Sequence, residues 1–289
     1  MSRIAYVNGR YTPQRDASVN VEDRGYQFAD GIYEVVHVFR GRFTDWDLHY
    51  ARLERSLREV RIAAPMGRAA LERVLAEVAA RNRVTNGLLY MQVTRGVARR
   101  EHWFPPAGTP PSLVVTARHI PRYPTDVDRW AIKVVSHPDE RWARRDIKSV
   151  GLLPNVLARQ AARERGAAEA ILVDAAGMVT EGAATSFWIV DAEGVLRCPP
   201  QGQTILPGCT RAALEAEMRA EGIPFEVRAF SLEEARAARE AFITGATGFV
   251  KPVVALDGAP VGTGAVGPVV RRLFALFARH VQGGMGNAA

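Results

Sequence analysis

Lysine is almost missing from this 289-residue chain: of 38 basic residues only Lys133, Lys148 and Lys251 are lysines. A guanidinium stays protonated at any accessible pH, so a primary amine kept in such a chain looks like a choice rather than a default and can serve chemistry that arginine cannot perform. Cysteine is scarcer still. Cys198 and Cys209 are too few for a disulfide framework or a metal site, and they suit a reducing cytosol. No apolar run approaches the roughly 18 residues of a membrane-spanning helix. The start, "MSRIAYVNGRYTP", has no basic segment leading into an apolar core, so a cytoplasmic, soluble protein is expected. No internal repeat is present, and 47% hydrophobic with 24% charged residues sets aside disorder and fibrous architecture. The net charge of +7 is not gathered into a patch. In "HYARLERSLREVRI" and "RAALEAEMRAEG" arginines alternate with acids as on solvated helix faces, and no nucleic-acid recognition motif accompanies them.

What the sequence does contain is a mixture of strands and helices without regular βαβ alternation, which predicts an α+β (mixed α/β) fold in two packed domains. "RIAYVNGRYT" reads as a hairpin turning at Asn8-Gly9, and "IYEVVHVFRGRFTDW" as another turning at Arg40-Gly41. Helical spacing places Leu48, Leu53, Leu57 and Val60 on one face, and Leu71, Val74, Leu75 and Val78 on another. The polar, proline-bearing stretch 121–130 is the expected linker between a small N-terminal α/β domain, 1–120, and a larger C-terminal domain, 131–282. A disordered tail is expected over 283–289.

Among the lysines, Lys133 alternates with apolar neighbours in a strand and should face water. Lys251 precedes Pro252 in an extended stretch and calls for no special role. Lys148 differs, because "SVGLLPNVL" follows it and can carry the amine into a partly desolvated site, where a lysine serves as nucleophile or base. A Schiff-base lysine serving pyridoxal phosphate needs a phosphate cradle and an acid for the pyridine nitrogen. The turn at Pro207-Gly208 opens a helix with Thr210 in its first turn, a site where free amides and a hydroxyl can hold an anion. The loop "ITGATG" adds amides and the hydroxyls of Thr244 and Thr247. Glu181 in "VTEGAATSFWIV" is either a turn residue or a buried acid kept for a charged partner. Arg100 and His102 share a face of an extended backbone and suit a carboxylate, although a basic surface loop explains them equally well. His49 reads first as a helix-surface histidine.

Several stretches in order, "EDRGYQFADGIYEVV", "HYARLERSL", "MQVTRG", "RREHWFP", "RRDIKSVGLLPNVLA", "EAILVD", "VTEGAATSF" and "ILPGCTR", carry a resemblance to the class IV, fold-type IV pyridoxal-phosphate aminotransferases over nearly the whole chain. The similarity is greatest to the bacterial D-amino acid branch, whose "R-x-H" before "FP" is matched by Arg100 and His102. The resemblance implies a small N-terminal domain, a larger C-terminal pseudo-barrel, and a homodimer. It implies that Lys148 is the Schiff-base lysine and proton shuttle and that Glu181 binds the pyridine nitrogen. By the same resemblance Leu206 packs on the ring face. Arg52, Cys209, Thr210 and the loop of Gly245, Ala246 and Thr247 hold the phosphate, and Tyr33, Arg100 and His102 take the substrate α-carboxylate. The expected reaction is ping-pong transfer from a D-amino acid, such as D-alanine or D-glutamate, to 2-oxoglutarate or pyruvate. Branched-chain L-amino acid or amine transamination and aminodeoxychorismate cleavage are the alternatives on this scaffold. Ala246 and Phe249 depart from the hydroxyl-rich loop of the D-specific branch, so Ala246 lacks one phosphate contact that Thr247 is expected to replace.

Overall fold

Asn8 and Gly9 adopt left-handed backbone angles, φ 46° and 94°, and join β1 (Ile4–Val7) to β2 (Arg10–Pro13) in the two-residue turn expected from their identities. The short helix α1 (Arg24–Phe28) follows, capped by Asp23, and Ala29 ends it at φ 54°. Arg40 and Gly41, at φ 50° and 79°, then turn β3 (Gly31–Phe39) into β4 (Arg42–Phe43). Helices α2 (Trp46–Glu59) and α3 (Arg68–Arg81) lead to β5 (Asn86–Thr94) and β6 (Ser112–His119). The structure, a computed structural model, describes residues 3–121 and 123–283.

Two compact units divide the chain, one of Met1–Arg122 with Ile147–Gly151, the other of Tyr123–Asp146 with Leu152–Ala289. In the first unit the strands form an antiparallel sheet in the order β2-β1-β6-β5-β3-β4. Its core joins Ile32, Val36 and Val38 of β3 to Leu53 and Leu57 of α2 and to Leu71, Leu75 and Val78 of α3. The α3 stripe is buried as its spacing predicts. The α2 stripe is buried only in part: Leu53 and Leu57 lie in the core and Val60 packs against it, but Leu48 is 39% exposed, and His49, Arg52 and Ser56 are buried as well. Apolar periodicity misses a helix face whose inward residues are polar and matched by polar partners.

His37 of β3 is buried, with Nδ1 3.2 Å from Thr44 Oγ1, and burial pushes its pKa down to about 4. The folded chain therefore keeps this imidazole neutral where the unfolded chain protonates it. The stabilisation is complete above the ordinary histidine value and is lost as pH falls below it towards 4. Between pH 7 and 5 this one group should cost about 2 kcal/mol. His37→Gln is expected to flatten that part of a stability–pH curve measured by denaturant unfolding, and an unchanged slope would refute the assignment.

In the second unit, the 3-10 turn Asp128–Trp130 lies in the stretch expected as a linker, and β7 (Ile132–Pro138) follows it. Then come α4 (Leu153–Glu164), β8 (Glu169–Val173), β9 (Val179–Gly182), β10 (Ser186–Val190) and β11 (Leu196–Cys198). The remaining elements are α5 (Cys209–Ala220), β12 (Glu226–Val227), α6 (Leu232–Arg236), β13 (Glu240–Gly245), β14 (Phe249–Leu256), β15 (Ala259–Pro260) and α7 (Pro268–Gly283). The strands form a sheet in the order β12-β11-β10-β13-β14-β7-β8-β9, with β15 paired to β14. Pairing is parallel for β11 with β12, β14 with β7, and β7 with β8, and antiparallel elsewhere. Gly283, assigned to the tail from sequence, is the last residue of α7, whose amphipathic pattern continues past His280, and 284–289 lie outside the described residues. Cys198 and Cys209 are buried thiols, and burial pushes Cys198 up to about 11, which keeps it protonated and unreactive.

Candidate active site

β4 pairs only with Val38 and Phe39, and the other end of β3 receives the segment carrying Lys148. Tyr33 N donates to Lys148 O at 3.0 Å, Val150 N donates to Gly31 O at 3.1 Å, and Ile32 bridges Ser149. These backbone contacts fix the lysine's position independently of its side chain. The side chain is half-buried, with Nζ 3.4 Å from Tyr33 Oη and 4.4 Å from the Tyr33 ring centre. Tyr33 stacks on Tyr90, whose hydroxyl donates to Gln92 Oε1 at 2.7 Å. Burial pushes Tyr90 up to about 12, so it remains a neutral neighbour. Lys133 is exposed as expected, whereas Lys251 is half-buried with its Nζ 4.0 Å from the Trp130 ring centre.

Glu34 occupies the same inward stripe of β3 as Ile32, Val36 and Val38, where a lone carboxylate would be costly. It accepts both arms of Arg52, Nε at 2.7 Å and Nη2 at 2.8 Å, and lies 2.8 Å from His49 Nδ1. Burial alone would raise its pKa, but the Arg52 charge and the hydrogen bonds from Arg52 and His49 outweigh this and hold the carboxyl well below its ordinary range. His49, read from sequence as a surface residue, is 3% exposed; Glu34 supplies the partner that makes its burial possible.

In the second unit Glu181 lies on β9 and is 4% exposed, which settles between turn residue and buried acid in favour of the latter. Its Oε1 accepts Leu206 N at 3.2 Å and Arg141 Nη1. Arg141 also donates to Asp139, through Nε at 2.9 Å and Nη2 at 2.8 Å, and Thr180 Oγ1 donates to the same acid at 2.7 Å. Burial would lower the guanidinium's pKa, but its two acids outweigh that and hold Arg141 charged. Glu181 thus has a permanent cation beside it. The start of α5 has Gly208 as its N-cap with no side-chain cap, and Cys209 and Thr210 are buried in its first turn. A Cβ on Gly208 would lie 2.8 Å from Ser186 Oγ, so a side chain there would require Ser186 to shift.

Gly245 ends β13 opposite Phe249, Ala246 is half-buried and Thr247 is exposed. Thr244 is buried, and its hydroxyl accepts Trp188 Nε1 at 3.1 Å, a core contact. Phe249 sits at φ 52°, with Tyr123 and Phe277 each 5.2 Å away between ring centres. This departure from the family pattern therefore serves the core of the second unit. Beyond β5, Arg100 and His102 are both exposed and both rest on Phe28, with Cζ 5.0 Å and the imidazole centre 5.5 Å from that ring.

The residues that sequence reasoning missed are supporting ones, Glu34, Asp139 and Arg141. For Glu34 the signal was available, since an acid in the inward stripe of an apolar strand needs a buried cation. Arg141 has no such signal, because its partner lies 40 positions away.

The donor set in each unit fits a phosphorylated pyridine aldehyde. The uncapped start of the twelve-residue α5 offers amides of the kind that hold phosphate, Glu181 is a buried carboxylate, and Lys148 is a half-buried primary amine. The amino-transferase class IV family model matches residues 31–256. D-alanine aminotransferase of Bacillus licheniformis is 38% identical over 267 residues, covering 92% of this chain and 93% of that protein. A branched-chain amino acid aminotransferase of Escherichia coli superposes with a TM-score of 0.86 at 25% identity, over 96% of this chain and 94% of that one. A hypothetical aminotransferase of Mycobacterium tuberculosis in its PLP-bound form superposes at 0.83 with 20% identity, over 97% of this chain and 99% of that one. With most of its length matched by the family model and by a relative well above 30% identity, the chain belongs to the class IV aminotransferases, of fold type IV, and the protein is an aminotransferase.

Proposed function

We propose that this enzyme transfers the amino group of a D-amino acid to a 2-oxo acid in two half-reactions, using pyridoxal phosphate. Bound at Lys148, the cofactor supplies an electron sink that makes the substrate Cα–H acidic. Lys148 Nζ takes that proton from the donor and, in the second half-reaction, returns one to the Cα formed from the acceptor. Tyr33 Oη, 3.4 Å from Nζ, orients the amine. Glu181, flanked by Arg141, meets the pyridine nitrogen, and Leu206 covers the ring face. The first turn of α5, with Thr210, the 245–247 loop and Arg52, holds the phosphate. Arg100 and His102 bind the α-carboxylate, and their placement on one aromatic ring is the observation that carries the D-amino acid reading. The 38% identity to a D-alanine aminotransferase supports it.

A half-reaction screen tests the proposal. D-alanine or D-glutamate should bleach the visible cofactor band, and pyruvate or 2-oxoglutarate should restore it. Bleaching by branched-chain L-amino acids alone, or release of pyruvate from aminodeoxychorismate, would overturn it. We further propose a cytoplasmic homodimer. Leu153, Val156 and Leu157 form an exposed apolar stripe on α4 in keeping with a subunit contact, and a single-chain mass in sedimentation of the same preparation would remove that part. Among the described residues no helix is long and apolar enough to cross a membrane.

A further inference from the structure

We propose that Arg24, anchored by Asp30, is a positioning residue that presents Arg100 and His102 to the substrate carboxylate, with Phe28 as the surface on which both rest. The inference depends on the reading of that pair given above. Its starting point is the stretch "EDRGYQFADG", to which no role in cofactor or substrate binding has been assigned. Its five-residue helix α1 is fastened to β5: Asp23 accepts Gly25 N at 2.8 Å and Thr94 Oγ1 at 3.0 Å, and Arg24 N donates to Gly96 O at 2.9 Å. A Cβ on Gly25 would lie 2.2 Å from Thr94 Cγ2, so this seat admits only glycine.

The Arg24 side chain is 3% exposed and makes two directed bonds, Nε to Asp30 Oδ2 at 2.8 Å and Nη1 to Glu101 O at 2.6 Å. Glu101 is the residue between Arg100 and His102, so Arg24 grips the backbone midway between the two carboxylate-binding side chains. Its Cζ also lies 4.8 Å from the Phe28 ring centre, and Arg24, Arg100 and His102 are therefore gathered around one ring. Two guanidiniums around one ring repel, and Asp30, which Arg24 shares with Arg95, offsets part of that charge while Arg100 keeps its own for the substrate. Asp30 also receives Arg95 bidentately, at 2.7 and 2.9 Å, and Phe104 packs on Arg95 with its ring centre 3.7 Å from Cζ. One carboxylate thus organises anchors at both the start and the end of the segment 100–104. Exposed residues otherwise lose conformational freedom on binding, and a segment already held in its binding shape avoids that loss.

The test compares apparent dissociation constants of D-alanine and D-alaninol, the same amine without the carboxylate, read from the change in the cofactor band of the holoenzyme. Arg24→Met is expected to weaken D-alanine by about tenfold or more while D-alaninol stays within about twofold. Phe28→Leu should shift D-alanine in the same direction. Arg24→Lys keeps the Asp30 pair but cannot fork to the Glu101 carbonyl, so it should weaken D-alanine by about threefold or more, and it gives the same readout should the Met variant fail to fold. Equal losses for both donors, or no loss for either, would overturn the inference by making Arg24 merely structural. Arg100→Ala separates this result from failure of the underlying reading. If that variant keeps wild-type affinity for D-alanine, the carboxylate assignment is wrong; if it loses affinity while the Arg24 variants do not, only the positioning role falls.

Discussion

Lys148→Ala is expected to lower transamination between D-alanine and 2-oxoglutarate by about 10⁴-fold, because on the proposed assignment the variant loses both the amine that holds the cofactor and the base that moves the α-proton. The visible cofactor band should disappear with it. The fold should survive, since the segment is held to β3 through the carbonyl of Lys148, the amide of Val150 and the bridge at Ser149, none of which uses the side chain. An unfolding midpoint close to wild type and partial recovery by added methylamine would complete the pattern. Activity within tenfold of wild type would mean that another group is the base.

The second large effect is on stability. Glu34→Gln leaves the Arg52 guanidinium buried without the carboxylate that accepts two of its N–H groups, beside a buried His49 that loses the same partner. Removing one side of a buried pair costs about 3–5 kcal/mol, far more than an exposed pair would, because the remaining charge stays desolvated and loses its carboxylate. At about 2–4 °C per kcal/mol for a chain of this size, the melting temperature should fall on the order of 10 °C. The double variant Glu34→Met with Arg52→Met should recover part of that loss, since it removes both charges of the buried pair while His49 still loses Glu34. Equal stability of Glu34→Gln and wild type in denaturant unfolding would show that the network contributes little.

These two sites also mark how far the residues could be read in advance. Turns were legible because Asn8-Gly9 and Arg40-Gly41 specify backbone angles locally, and α3 because its apolar face needs no particular partner. The start of α5 at Gly208 was legible for the same local reason. Helix α2 was read wrongly at Leu48 and His49, because its buried face includes polar residues whose burial depends on Glu34, on another element. Strand β9 was missed altogether. At four residues it is too short for alternation to show, and Glu181 on it is stabilised by Arg141 from forty positions upstream. Helix α1, with five residues, carries no periodic signal, yet its Arg24 donates to the carbonyl of Glu101, between Arg100 and His102. Candidate residues could be put forward from their types and order, whereas Arg141, which holds Glu181, could be found only from its neighbours in space.

The return of Ile147–Gly151 to the first unit has a consequence for how this protein can be cut or recombined. A gene fragment ending at residue 121 encodes the whole six-stranded sheet but omits Lys148, whose segment docks on it, and a fragment starting there encodes a lysine parted from Tyr33. Reconstitution from two halves would therefore need the second half to thread a short extended stretch back onto the first. Shuffling with a relative at the same point would set a foreign segment at 147–151 against the native Tyr33, making that junction a sensitive place to exchange sequence.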